Sequence, residues 1–343
     1  MKITRVGVDI AKNVFHVHAT DRHGNKLWQA KLSRDKWIAE LIERVPPGCQ
    51  IAMEACGSSH HWTRELNKRG FNVRLIAAQF VKPYVKSNKN DKIDAAAIAE
   101  AMSRPDMRFV TPKTLAQQDI QSLHRVRSER VRQRTAKANQ IRGLVCEYGI
   151  VAPWGIGALR RAIPLWLEDA DNGLSDHFRV LLDELWQELC NLDELIERCD
   201  HRVKQLVQQD SVVARLATLR GVGPLTASAL AIALGDGSAF KNGKEFAASL
   251  GLVPRQHSTG GRDHLLGITK RGDGYLRTLL VHGARSVQRF TANKDDELSS
   301  WVNELTKRKH PNVVSCALAN KTARAAWAIV HYERDYEPSL IAA

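Results

Sequence analysis

Apolar residues change period several times along the first hundred positions of the chain. ITRVGVDIA, NVFHVHATD and KLWQAKLS are short β-rich runs separated by polar turns such as Asp21 to Asn25, and this alternation predicts three strands in an antiparallel meander. In SRDKWIAELIERV the apolar positions Trp37, Leu41, Ile42 and Val45 fall at helical spacing, with Ser33 as a cap and Pro46-Pro47-Gly48 as the stop. QIAMEA then predicts a strand, SSHHWTRELNKRG a helix ended by Gly70, and FNVRLIA a further strand.

The resulting order, βββαβαβα, is that of the ribonuclease-H-like α/β fold. Past Pro112 the pattern becomes helical. Residues 113–147 read as a basic helix and GIVAPWGIG breaks it. Phe178, Leu182, Leu185, Leu189, Leu192, Ile196, Cys199, Val203 and Leu206 then recur at alternating gaps of four and three, a heptad seam that holds one stripe against a partner helix. We read this seam as a coiled coil used in assembly; a hairpin with the basic helix of the same chain is the alternative. From Ser211 the chain is helical with glycine-rich interruptions. The expected division is residues 1–110, an α/β unit; 111–210, the basic helix and coiled coil; and 211–335, a mainly helical unit.

Charge sharpens this picture. Lys and Arg number 51 against 37 acids, a net charge of +14, which suits a polyanionic partner. The excess is zoned: residues 123–142 hold seven Arg or Lys and one Glu, 254–290 hold seven and two Asp, and 183–200 hold seven acids and one Arg. Zoning of this kind points to separate nucleic-acid and protein surfaces. The six cysteines have no ligand-like spacing, so neither a zinc site nor a disulfide framework is indicated. No apolar run is long enough to span a bilayer and the N-terminus lacks a signal-peptide pattern, so a cytoplasmic protein with no membrane partner is expected.

Four acids carry the candidate chemistry. Asp9 ends the first strand, Glu54 ends QIAME, and Asp91 and Asp94 open the helix DKIDAAAIAEA, three apart and so on one face. Carboxylates meeting at a sheet edge make a cage for Mg2+, and two such ions stabilise the attacking and leaving oxygens of a phosphate in line. In LRGVGPLTASALAIALGD, Gly221 and Gly223 form the turn of a helix-hairpin-helix, whose backbone N–H groups contact phosphate without reading bases; an ordinary helical turn is the competing reading. Ser258 and Thr259 precede Gly260-Gly261 amid Arg255, His257, Arg262, Lys270 and Arg271. A hydroxyl there either attacks phosphorus or binds phosphate. Arg125, Arg127, Arg130, Arg132, Arg134 and Lys137 are the candidate nucleic-acid contacts of the basic helix. His16, His18, His60 and His61 read mainly as packing or surface groups, and Trp28, Trp37, Trp62 and Trp186 as core. Actin-like kinases and ATPases also begin with a strand ending in Asp, but the glycine-rich phosphate loops they need are not found after these strands.

VGVDIAKNVF, AMEACGSS, KNDKIDAAAIAEA, GVGPLTASAL, FAASLGLVPRQHSTGG and GITKRGDGYLR together resemble the DEDD-type insertion-sequence transposases, bridge-RNA-guided DNA recombinases, from Val6 to about Arg324. That resemblance implies a resolvase-like first domain, a coiled coil and a C-terminal transposase domain. It implies Asp9, Glu54, Asp91 and Asp94 as the Mg2+-binding set, and Ser258 as the nucleophile of a phosphoserine link to DNA, with Thr259 beside it. The implied partners are donor and target DNA, a structured guide RNA, and further copies of the chain in a dimer or tetramer in which the metal site of one subunit works with the serine of another. The runner-up is a Holliday-junction-resolvase-like endonuclease in which water attacks.

Overall fold

The computed structural model describes residues 2–85, 91–259, 262 and 264–337. It divides into two compact units. The first is built from the chain up to Thr114 with Leu234–Ser249 and Ala323–Arg334; the second holds Leu115–Ala233, Leu250–Thr322 and the residues after Arg334.

In the first unit β1 (Arg5–Ile10), β2 (Val14–Thr20), β3 (Lys26–Ser33), β4 (Gln50–Glu54), β5 (Asn72–Ile76) and β6 (Phe109–Val110) form one sheet in the order β3-β2-β1-β4-β5-β6. The first three strands are the antiparallel meander that alternation predicts. β1, β4 and β5 run parallel, while the two-residue edge strand β6 is antiparallel and has no counterpart in the sequence reading. The crossovers are α1 (Trp37–Arg44) and α2 (Ser59–Asn67).

Ser33 does not cap α1. It pairs with Val14 as the last residue of β3, and the helix starts after a turn at Trp37, with Lys36 at the cap position. Ile42 is half exposed, so the buried stripe of α1 is Trp37, Leu41 and Val45.

Strand alternation splits the sheet into two faces. Val6, Val8, Phe15, Val17, Ile51 and Met53 pack with Trp37, Leu41, Trp62 and Leu66 of α1 and α2, where Phe15 stacks on Trp37 at 4.7 Å. Each such side chain contributes about 1.5–3 kcal/mol of apolar burial. The other face holds Gly7, Ala52 and Ile76, and α4 (Asp91–Met102), which follows the short helix α3 (Ala78–Val81), packs on it through Ala97, Ile98, Ala101 and Met102. Gly7 fixes how close α4 lies: a Cβ there would stand 2.2 Å from Ala95 O and 2.6 Å from Ala99 N.

The second unit is mainly helical. α5 (Leu115–Cys146), α6 (Ile156–Glu168) and α7 (Asp176–Val207) form one cluster, with Ala138, Ile141, Val145, Leu159, Ile163, Phe178, Leu182 and Leu189 buried together. The heptad seam is therefore filled from within the chain, by α5 running antiparallel to α7; Leu192 is half-buried and Leu206 exposed. α8 (Ser211–Ala217) and α9 (Pro224–Leu234) flank the glycine turn, and α10 (Gly243–Ser249) belongs to the first unit. β7 (Pro254–Gln256) and β8 (Leu265–Ile268) pair into a two-stranded ribbon, followed by α11 (Gly274–Gln288), α12 (Glu297–Arg308) and α13 (Pro311–His331). Late segments complete the first unit: Trp327 Nε1 donates to Gly237 O at 3.1 Å, and Arg108 pairs with Glu245 at 3.2 Å. Among the described residues no helix is long and apolar enough to cross a membrane.

Candidate active site

The acid site grows out of the sheet register. β1 and β4 run parallel with Val8 beside Met53, so the next step along both strands sets Asp9 beside Glu54 on the face that carries Gly7 and α4. The small residues of DKIDAAAIAEA let α4 lie close there and bring its first turn, with Asp91 and Asp94, to the same edge. One carboxylate oxygen from each of Asp9, Asp91 and Asp94 lies within 4.8 Å of the other two. Two oxygens on one Mg2+, each about 2.0–2.1 Å from it, stand at most about 4.2 Å apart, so closing in of these side chains would set the three around one hard cation. Glu54 lies outside that group of three but at the same edge. Cys56, just past β4, reports both neighbours: burial pushes its thiol pKa up, and the Glu54 and Asp9 carboxylates push it further.

His60 holds the chain at Lys113, accepting from its backbone N at 3.2 Å. His16 is buried directly opposite Asp9 in the β1–β2 register.

In the second unit Ser258 is exposed on the turn between β7 and β8, and Gln256 Nε2 donates to its Oγ at 2.8 Å. Thr259 bridges to Arg262 across the same turn. Gly260 and Gly261 lie outside the described residues. Arg255, Arg262, Lys270 and Arg271 are all exposed. The base of the ribbon is tightly made. Gly251, at φ 69°, lies so close to the chain at Lys270-Arg271 that a Cβ would meet Arg271 O at 2.3 Å. Arg277 Nη1 donates to Leu250 O at 2.8 Å and Arg271 O at 3.2 Å, and Asp273 caps α11 through Leu276 N. Much of GITKRGDGYLR thus serves to anchor the ribbon.

The glycine turn is equally specific. Gly221 has φ 81°, and its carbonyl packs on α11 so closely that a Cβ on Gly283 would stand 2.1 Å from it. Gly223 has open space at its Cβ position and precedes the first turn of α9.

Comparison with known proteins shows the family. The sequence matches the DEDD transposase family of the IS110 type over residues 6–150 and the family described as "Transposase IS116/IS110/IS902 family" over residues 213–299. It is 48% identical to a probable family 20 transposase of Pseudomonas aeruginosa, over 98% of this chain and 100% of that protein. The chain belongs to the IS110 family of transposases. It is also 44% identical to the transposase for insertion sequence element IS1328 of Yersinia enterocolitica, over 95% of this chain and 96% of that one. With the transposase for IS1111A of Coxiella burnetii it shares 42% identity over 96% of this chain and 90% of the relative.

In this IS110-family chain the basic helix has two faces. Arg127 pairs with Asp200, Arg134 with Asp193 at 2.8 Å and Lys137 with Glu188 at 2.5 Å, while Arg130 donates to Leu195 O at 2.8 Å. These four side chains are committed to α7, whose acids account for the negative zone. Arg125 and Arg132 point to solvent, and Arg132 pairs with Glu129 one turn back.

The sequence reading missed His124. It lies within the basic run, yet it is buried, with Nδ1 2.9 Å from Tyr275 Oη and Nε2 3.0 Å from Ser228 Oγ. Burial, and then Arg127, hold its pKa down to about 4. The available signal was positional: Ile120, His124, Ala138, Ile141 and Val145 are the buried stripe of α5.

Proposed function

We propose that the chain breaks and rejoins DNA as the transposase of an insertion sequence, with Asp9, Glu54, Asp91 and Asp94 holding Mg2+ and Ser258 as nucleophile. The observation that carries this reading is the meeting of Asp9, Asp91 and Asp94 at one sheet edge. The sheet order, with carboxylates at the ends of the central strands and helices on both faces, supports a ribonuclease-H-like assignment for the first unit.

Mg2+ held by Asp9, Glu54, Asp91 and Asp94 would supply positive charge against the charge that builds on the phosphate. The rest of the chemistry belongs to the chain. Ser258 Oγ attacks phosphorus and loses its proton, the bond to one strand end breaks, and that end departs as a hydroxyl. A hydroxyl from a second strand then attacks the phosphoserine, releasing Ser258 and joining the strands. Arg255, Arg262, Lys270 and Arg271 around the ribbon stabilise the phosphate charge, and the exposed ribbon gives the serine access to a duplex. The Gly221 and Gly223 turn supplies backbone donors to DNA phosphates.

On the family resemblance, a structured guide RNA selects donor and target DNA, and its phosphates meet the solvent face of α5 at Arg125 and Arg132. Two or four copies assemble so that one subunit's acids serve another's serine. Since α5 fills the heptad seam of α7, such an assembly uses other faces of these helices.

Trapping tests the reading. Cognate DNA incubated with protein and Mg2+ yields a protein-linked strand with the native chain, none with Ser258→Ala, and no cleavage with Asp9→Asn. Equal products from native and Ser258→Ala protein without an adduct would assign the attack to water.

A further inference from the structure

The alternation that sends Phe15, Val17 and Ala19 into the core sends His16 to the α4 face, directly across from Asp9. His16 is 6% exposed, and its Nδ1 is buried with no hydrogen-bond partner. A buried imidazole nitrogen in that state keeps an uncompensated desolvation cost, and buried polar groups of folded proteins nearly always have partners. Asp91 Oδ2 lies 3.7 Å from it, within reach of a hydrogen bond but too far to make one. The two side chains are unequal: the imidazole is packed in the sheet, whereas the Asp91 side chain is 61% exposed and has room to turn.

We propose that His16 is a positioning residue of the cation site, its Nδ1–H donating to Asp91 and fixing the carboxylate in the orientation that faces Asp9 and Asp94. The inference rests on the cation site proposed above and assigns it a member outside the four acids. His16 acts through Asp91 rather than as a further ligand, because among the described residues the group of mutually close ligand atoms comprises the three aspartates and not His16. When a cation draws one Asp91 oxygen inward, the other is left to accept from Nδ1, and the buried donor is satisfied in the same movement. Removing an outer partner of this kind lowers metal affinity about 10–100-fold.

The test titrates Mn2+ into the metal-free full-length protein by calorimetry, with free Mn2+ followed by electron paramagnetic resonance. His16→Asn and His16→Gln are the informative pair. The Asn amide nitrogen falls near the place of Nδ1 and the Gln amide reaches toward Nε2, so both keep a polar group and only Asn keeps the donor in place. The expected result is Mn2+ affinity within about threefold of native for His16→Asn, and about tenfold or more weaker for His16→Gln and His16→Leu. In DNA cleavage the half-saturating Mg2+ concentration rises for His16→Gln, while the rate at saturating Mg2+ stays near native. Equal Mn2+ affinity for His16→Asn and His16→Gln overturns the proposal, as does native affinity for both. If native protein and Asp91→Asn bind Mn2+ alike, the cation site itself is wrong and the role of His16 falls with it.

Discussion

The acid cluster of the first unit stands on packed scaffolding, whereas the serine of the second unit rides on a ribbon whose strand residues are almost all exposed. Asp9 and Glu54 end central strands buried beneath two helical layers, and α4 is held within backbone contact of Gly7. Ser258 lies beyond a base fixed by Gly251, Arg277 and the Asp273 cap. A cation cage gains affinity from ligands that its scaffold already holds near the right spacing. In the function proposed above, a nucleophile that must reach a large duplex would gain from being carried outward on a short, firmly rooted arm. The two sites therefore should fail differently.

The largest expected effects come from replacing Asp91 and Ser258. Asp91→Asn should reduce Mg2+-dependent cleavage more than 100-fold, beyond the usual 10–100-fold cost of an outer-shell partner, and should abolish Mn2+ binding in calorimetry. Ser258→Ala should abolish the covalent DNA adduct while Mn2+ affinity stays native. Melting temperature should change little in either variant, because both side chains are exposed. If Ser258→Ala weakened metal binding as much as Asp91→Asn did, the two sites would not be separable.

Glycine substitutions sharpen the contrast at the level of scaffolding. Gly7→Ala drives a Cβ against Ala95 O and Ala99 N, and Gly283→Ala drives one against Gly221 O; each should cost about 2–3 kcal/mol in denaturant unfolding. Only Gly7→Ala should also weaken Mn2+ binding, because only α4 carries Asp91 and Asp94.

Much of the first unit was legible because strand and helix periods differ and each run was bounded by turn residues. Alternation set the meander, and the strand ends set Asp9 beside Glu54. β6 was not legible, since two residues carry no period. Ser33 misled because a serine before a helical pattern looks like a cap, whereas here strand pairing claims it. The heptad seam was visible, but its partner was not: a/d spacing says that a stripe is covered and not by which chain. Ion pairs from Arg127, Arg134 and Lys137 to α7 settle that it is covered from within. His124 was hidden because a polar residue inside a basic run reads as part of its exposed face, although its place on the buried stripe of α5 was a sign; His16 alternates with core residues of β2, and alternation alone does not say that a helix covers the second face.

His124 offers a smaller effect confined to the second unit. Its pKa of about 4 lies below the ordinary 6.5, so between these values the unfolded chain takes up a proton that the folded chain refuses. Stability is full above about pH 6.5 and falls toward pH 4 by an amount on the order of 2 kcal/mol from this residue. Unfolding followed from pH 7.5 to 4.5 should show that slope, and His124→Asn, though less stable at neutral pH, should flatten it. Mn2+ affinity at fixed pH should be the same in both, because His124 touches Tyr275 and Ser228 and no residue of the acid cluster.

The solvent face of α5 gives the smallest expected change in stability, and its contrast with the opposite face the sharpest distinction between binding and folding. Arg125→Ala with Arg132→Ala removes two exposed cations, one of them paired with Glu129 on the same helix. Exposed pairs of this kind contribute about 0–1 kcal/mol, so unfolding should hardly move. Binding to RNA or DNA should weaken alike for all sequences, and the slope of log affinity against log salt should fall by about 1–2. Arg134→Ala should do the reverse, because Asp193 then keeps only Arg160, at 2.9 Å. Stability should drop by roughly 1–3 kcal/mol as a charge-assisted hydrogen bond is lost, with the salt slope unchanged. A fall in the salt slope for Arg134→Ala that matched the solvent-face pair would mean that α5 leaves α7 when nucleic acid binds, freeing the seam for another copy of the chain.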